Sequence, residues 1–242
     1  MNKWFLIVIA ATLVLASCTA NRAVPQTPTT TNEPYTGITT KVAILPLKAM
    51  DSQSRYIEKM LSVRDLNHAF ASHPQYELLD MEEVAAQFKL SGYKDVDALE
   101  VEEMKELVEM TSSDVLATGN ITSSRGDSYS INLKLFSART SELKQLNFSV
   151  SKFKQDRWAN LETSLIGELD KFISNEVDKI YNIAINYYSS GNYVEAEKSL
   201  KVAMGLNPEL KDANYYLGAS YSMLGKQNDA IEYLNKSLVK DP

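Results

Sequence analysis

The sequence predicts a mixed α/β (α+β) sheet domain followed by an all-α helical-repeat domain, and three observations predict it. Short apolar runs of strand type alternate with stretches of helical periodicity from Lys41 to about Phe172. Three strand candidates follow one another in that region, the first two joined by a turn signal. From Val177 the sequence becomes self-similar at an offset of 34 residues, so its last part is built from repeated units.

The chain opens with Lys3, an apolar run from Trp4 to Leu15, and the small residues Ala16-Ser17 directly before Cys18. The run is shorter than the ~20 residues a membrane-spanning helix needs. Its charged, apolar, small order predicts a cleaved export signal over residues 1–17. Small residues placed before a cysteine resemble the lipobox of bacterial lipoproteins. That resemblance implies that Cys18 becomes the lipidated first residue, carrying diacylglyceryl and amide-linked (palmitate-type) acyl chains. These exceed the two signals needed for stable anchoring. Cys18 is also the only cysteine, so lipidation would account for it. The same resemblance implies a bacterial cell-envelope protein anchored to a membrane by lipid. Thr19, rather than Asp, implies the outer membrane facing the periplasm under a sorting rule known for some Gram-negative bacteria.

Residues 18–37 carry Pro25, Pro28 and Pro34 among threonines and have little to bury. They read as an extended tether, with a reach of up to ~55 Å at about 3 Å per residue. The formal net charge is −6, one unit more negative once Lys3 leaves with the signal. No basic patch with interleaved aromatics is present, which excludes nucleic acid as a partner. A mildly acidic chain is chiefly a soluble one.

The sheet domain is expected over 38–174. Lys41–Leu47 is a strand buried on both faces, Tyr56–Phe70 a helix, and Tyr76–Leu79 a second strand. Helices follow from Met81 to Leu90, ended at Ser91-Gly92, and from about Val101 to Met110. Three strands come next: Val115–Thr122, Tyr129–Phe136 and Gln145–Phe153, with Arg125-Gly126-Asp127 as the first turn. Tyr129, Ile131, Leu133 and Leu135 alternate with Ser130, Asn132 and Lys134, giving one covered and one wet face. A helix from about Asn160 presents Leu161, Leu165, Leu169 and Phe172 on one side.

The order of "KVAILPL", "YELLD", "SDVLATGNI", a hairpin and "LFSARTSEL" resembles the TolB amino-terminal type, the group of the penicillin-binding-protein activator LpoB and the curli secretion lipoprotein CsgG. Asp114–Gly119 carries the best match. Thr140-Ser141 departs from it, since a Thr-Gly turn would be expected there, and so does the acidic helix near Glu106, where a glycine is common. The long barrel-forming strands of a pore are missing.

Two repeats occupy 177–242. Tyr187 aligns with Tyr221, Gly191 with Gly225, Ala196 with Ala230, Leu200 with Leu234 and Pro208 with Pro242. They resemble the tetratricopeptide (TPR) repeat position by position. Ile183-Ala184 and Leu217-Gly218 take its Leu-Gly place, Ile180 and Asn214 its tryptophan place, and Asn207-Pro208 and Asp241-Pro242 its end. Two units are fewer than the three or more usually stacked; the helix before Val177 is expected to cap the first, and the last unit either docks on something or continues beyond Pro242. The resemblance implies a protein-binding groove formed by Asp178, Tyr181, Ile185, Tyr188, Asp212, Tyr215, Ala219 and Ser222. The basic and asparagine residues of a carboxylate clamp are missing there, which suggests a partner of mixed polarity. Some of these tyrosines would serve only to complete the stack.

No motif carries catalysis. His68 and His73 are the only histidines and have no second ligand at metal spacing. Ser-x-x-Lys at Ser141, Ser149 and Ser237 lacks its companion motifs. Glu100, Glu102, Glu103, Glu106 and Glu109 read as a solvated helix face. The expectation is a non-enzymatic, cofactor-free, metal-free adaptor that binds envelope proteins. Regulation of a peptidoglycan synthase, or service to a curli-like secretion or surface-fibre system, stand as alternatives, and the sequence leaves a homo-oligomer open.

Overall fold

A mixed sheet organises the first part of the molecule. The computed structural model describes residues 37–55, 73–124, 126–153, 155 and 157–240. The signal, Cys18, the tether up to residue 36, the expected helix 56–70 with His68, Arg125 and residues 241–242 lie outside the described residues.

The sheet runs in the order β3 (Tyr76–Leu78), β1 (Thr40–Ile44), β4 (Val115–Ser123), β5 (Ser128–Ser137), β6 (Leu143–Ser151). A short β2 (Lys48–Ala49) also pairs with β4. β1 is parallel to both β3 and β4, and β5 and β6 add as antiparallel strands. Parallel neighbours need a long crossover. Helices α1 (Met81–Ser91) and α2 (Val101–Thr111) carry the chain from β3 to β4, which lie on either side of β1.

Strand alternation sends side chains into two cores. Val42 and Ile44 of β1, Val115 and Ala117 of β4, and Ile131, Leu133 and Leu135 of β5 pack beneath Leu161, Leu165 and Leu169 of the long helix α3. Ala43, Leu45, Leu116 and Phe136 pack on the other side against Val84 of α1 and Met104, Leu107 and Val108 of α2. β1 is thus buried on both faces as its continuous apolar run predicts. The second face of β5 is wet only in part, because Phe136 is fully buried under α2.

Local chemistry sets the helix ends. The Asp80 carboxylate accepts from the N–H groups of Glu82 and Glu83, both at 2.9 Å, and Gly92 closes α1 at φ 82°. Glu100 and Glu103 form a capping box at the start of α2. The Tyr93 hydroxyl donates to Glu106. Part of the acidic run therefore serves to start and brace a helix. In the β5–β6 turn, Ser141 adopts φ 54°, the left-handed region that favours glycine.

Helix α3 spans Arg157–Ser189 without a break. Its first half covers the sheet, and its second half pairs with α4 (Tyr193–Leu206). α5 (Ala213–Met223) and α6 (Gln227–Lys240) form a second helix pair against α4. The starts of α4 and α6, their ends, and the ends of α3 and α5 all differ by the 34 residues of the sequence repeat. Gly191 and Gly225 hold equivalent turns at φ 80° and 74°. Ala184, Ala196, Leu200, Leu217 and Ala230 form the buried seam of the two pairs.

Candidate protein-binding groove

The residues expected to line a groove lie on the second half of α3 and on α5, where three helices bring tyrosines together. Tyr181 and Tyr188 are seven residues apart and share one side of α3. Tyr188 meets Tyr193 of α4 edge to face at 5.6 Å between ring centroids. Tyr216 of α5 stands at the centre, 5.4 Å from Tyr188, 6.3 Å from Tyr181 and 5.3 Å from Tyr215. All four contacts are edge-on, the arrangement that aligns ring edges with the negative faces of their neighbours.

Exposure divides the expected residues. Tyr215 is half exposed, and Asp178, Asp212 and Ser222 face solvent. Tyr181, Ile185, Tyr188 and Ala219 are half-buried. Tyr181 packs against both the sheet core and the helix-pair core, so it braces the two together. Burial pushes its hydroxyl up to about 12, with Tyr216 and Asp212 adding to the shift. Tyr188 is raised for the same reason, burial first and its tyrosine neighbours next. Both therefore remain neutral hydrogen-bonding phenols across the physiological range.

Asp212 starts α5 with φ 58° and makes no side-chain capping bond. Its carboxylate and that of Asp178 have no ion-pair partner among the described residues. The cluster thus offers aromatic surface with the Asp212 carboxylate at its rim. Two of its members were not among the expected residues: Tyr193 and Tyr216. Tyr216 lies one place beyond Tyr215, and only the packing of α5 against α3 shows that it turns inward.

Behind the tyrosines lies a second polar set. Glu197 is buried and holds Lys201 and Lys226, each at 2.7 Å, so it ties the first helix pair to the second. Those two lysines also stand 5.4 Å and 5.3 Å from the Tyr221 ring centre.

A third set joins the sheet to α3. Glu176 is fully buried and accepts from the Ser137 hydroxyl. Arg139 reaches Glu176 at 3.5 Å and Asp114 at 2.8 Å. Asp114 in turn accepts from the Lys41 N–H at 2.8 Å. Burial pushes the Glu176 carboxyl up, against the opposing pull of Ser137 and Arg139. Asp114, Ser137, Arg139 and Glu176 therefore form a structural latch at the sheet end.

Among the described residues no group of three or more His, Cys, Asp or Glu side chains could hold a metal ion. No described helix is long and apolar enough to cross a membrane.

No family model matches the chain, and no curated protein matches it. Solved structures similar to part of it include lipoprotein GNA1162 from Neisseria meningitidis, at TM-score 0.38 and 14% identity, covering 54% of this chain and 96% of that one. The LpoB C-terminal domain from Salmonella enterica matches at 0.34 and 11%, covering 47% and 84%. The same domain from Escherichia coli matches at 0.34 and 11%, covering 49% and 87%. At these scores the likeness is weak and transfers neither partner nor site.

Proposed function

We propose that this protein is a lipid-anchored, non-enzymatic adaptor of the bacterial cell envelope that captures a protein segment on its tyrosine cluster. The anchor follows from the sequence at Cys18, and the tether supplies distance from the bilayer. One observation carries the capture role: five tyrosines from three helices form one cluster, with Tyr215 half exposed and the Asp212 carboxylate close to Tyr181 without an ion-pair partner among the described residues. Tyrosine is favoured at interfaces because it offers a large rigid ring and a hydroxyl that can still bond.

The 34-residue offset between helix boundaries supports reading the two pairs as TPR units, whose stacked helices bind peptides or helices. The sheet then holds a second component, or fixes the helix pairs at a set angle through the unbroken α3.

Cross-linking in living cells tests the reading. A photoreactive residue replaces Asp178, Tyr188 or Tyr215 in turn, with the exposed Lys198 of α4 as control. Discrete adducts from the first three sites alone are expected. Equal labelling at Lys198, or none, would refute capture at the cluster. The adduct's identity would separate a peptidoglycan synthase from a secretion component.

A further inference from the structure

We propose that β6 is a pairing edge that joins the same strand of a second copy of this chain, antiparallel and centred on Asn147. The sheet has two ends, and they differ. β3 is three residues long, and its Tyr76 is tied to α3 through Asp170 at 2.6 Å. β6 is nine residues long, contains no proline or glycine, and pairs with β5 in continuous register without a bulge. No described strand pairs with its outer side.

Natural edges are usually blunted by shortness, a bulge, a cover or an inward-pointing charge. β6 has one charge, Lys144, and Glu168 of α3 already holds it at 3.0 Å. Room exists beside the strand as well. Open hollows of about 590 and 540 Å³ lie between β6 and α3, bordered on the helix by Asn160, Ser164 and Gly167. A side chain at Gly167 would meet nothing within 4 Å, so the helix leaves space over the position of a neighbouring strand.

The occupant follows from the strand's own pattern. Lys144, Leu146, Phe148 and Val150 turn to the α3 side, while Leu143, Gln145, Asn147 and Ser149 turn away. A two-fold axis at Asn147 sets Leu146 against Phe148 of the second copy twice, and Lys144 against Val150 of that copy. Gln145 meets Ser149, and no like charges stand opposite each other. A one-residue slip would set apolar against polar faces. A two-residue slip brings Lys144 opposite Lys152 in one direction and opposite Phe148 in the other, and shortens the ladder either way. A single ladder about 30 Å long is a small interface, so the dimer should be concentration-dependent.

The test uses the full chain in detergent. At the two-fold axis the Cα atoms of Asn147 would be about 4.5–5.5 Å apart, within disulfide range. Asn147→Cys should form a disulfide-linked dimer under mild oxidation. Ser149→Cys should do so at least tenfold more slowly, because its mate lies about 14 Å along the ladder. The unsubstituted chain, whose only cysteine is Cys18, is oxidised alongside as control. Asn147→Lys opposes two exposed lysines and should weaken the sedimentation dimer at least tenfold while leaving the circular dichroism spectrum unchanged. Equal cross-linking at 147 and 149, absence of a concentration-dependent dimer, or an Asn147→Cys adduct with a different protein would each overturn the assignment.

Discussion

Replacing Arg139 by methionine tests the latch between the sheet and α3. Among the described residues the guanidinium is the only cation paired with Glu176, whose side chain is fully buried. Without it the carboxylate keeps the Ser137 hydroxyl and gains the nearby like charge of Asp114 as an opponent. An orphaned buried charge costs about 3–5 kcal/mol. Protonation limits that cost: neutralising a carboxyl of ordinary value 4.5 at pH 7 takes about 3 kcal/mol, and at pH 5 less than about 1 kcal/mol, at 1.36 kcal/mol per unit.

The sign is set by the raised carboxyl. A folded-state value above the unfolded one gives stability that is fully present below about 4.5 and is lost as pH rises through the folded value. Arg139→Met should therefore lose about 3 kcal/mol at pH 7 and approach the parent at pH 5. Adding Glu176→Gln should restore most of the loss at pH 7, since a neutral amide can still accept from Ser137. Equilibrium urea unfolding from pH 5 to 8 measures both. A loss that is constant with pH, or a double variant no more stable than Arg139→Met, would refute an electrostatic latch.

Ser141→Gly should stabilise by about 0.5–1 kcal/mol in the same assay, because the turn holds a non-glycine residue at φ 54°. Gly218→Ala should cost about 1–3 kcal/mol, since the added carbon would lie 2.8 Å from Leu234 Cγ and 2.9 Å from Leu234 N, where α5 and α6 touch; thermal unfolding reads it. Tyr215→Ala should cost no more than about 1 kcal/mol, the worth of its edge-on contact with Tyr216, yet abolish the in-cell adduct formed from the Asp178 site, whereas Tyr216→Ala should cost about 2–3 kcal/mol by removing the central ring of the cluster. Ultraviolet titration should find Tyr181 still neutral at pH 11, with its contribution to stability lost as pH rises from 10 through about 12.

Much of the fold was legible because secondary structure leaves a local period. The alternation from Tyr129 to Leu135 matches the α3-facing side of β5, and Ser91-Gly92 ends a helix where the sequence signal lies. Thr140-Ser141 was legible as a departure, and the structure gives it a physical meaning: serine occupies a glycine conformation. The groove was legible only in outline. Residues spaced by three, four and seven identify a helix face, but they do not say which of two adjacent tyrosines turns inward. Tyr215 and Tyr216 needed the position of α3 to be told apart.

By itself the sequence carried the expectation of an exported, lipid-anchored protein at Cys18, and it determined the alternation of strands and helices and the 34-residue period. Each of these depends on short-range composition and spacing. The tertiary structure alone decided that α3 is one continuous helix, that Glu176 and Glu197 are buried in ion pairs, that Tyr216 is the hub of the cluster, and that β6 ends the sheet. Burial, pairing and edge position depend on which distant faces meet, and contacts across 37 residues, as between Arg139 and Glu176, leave no period in the chain to read.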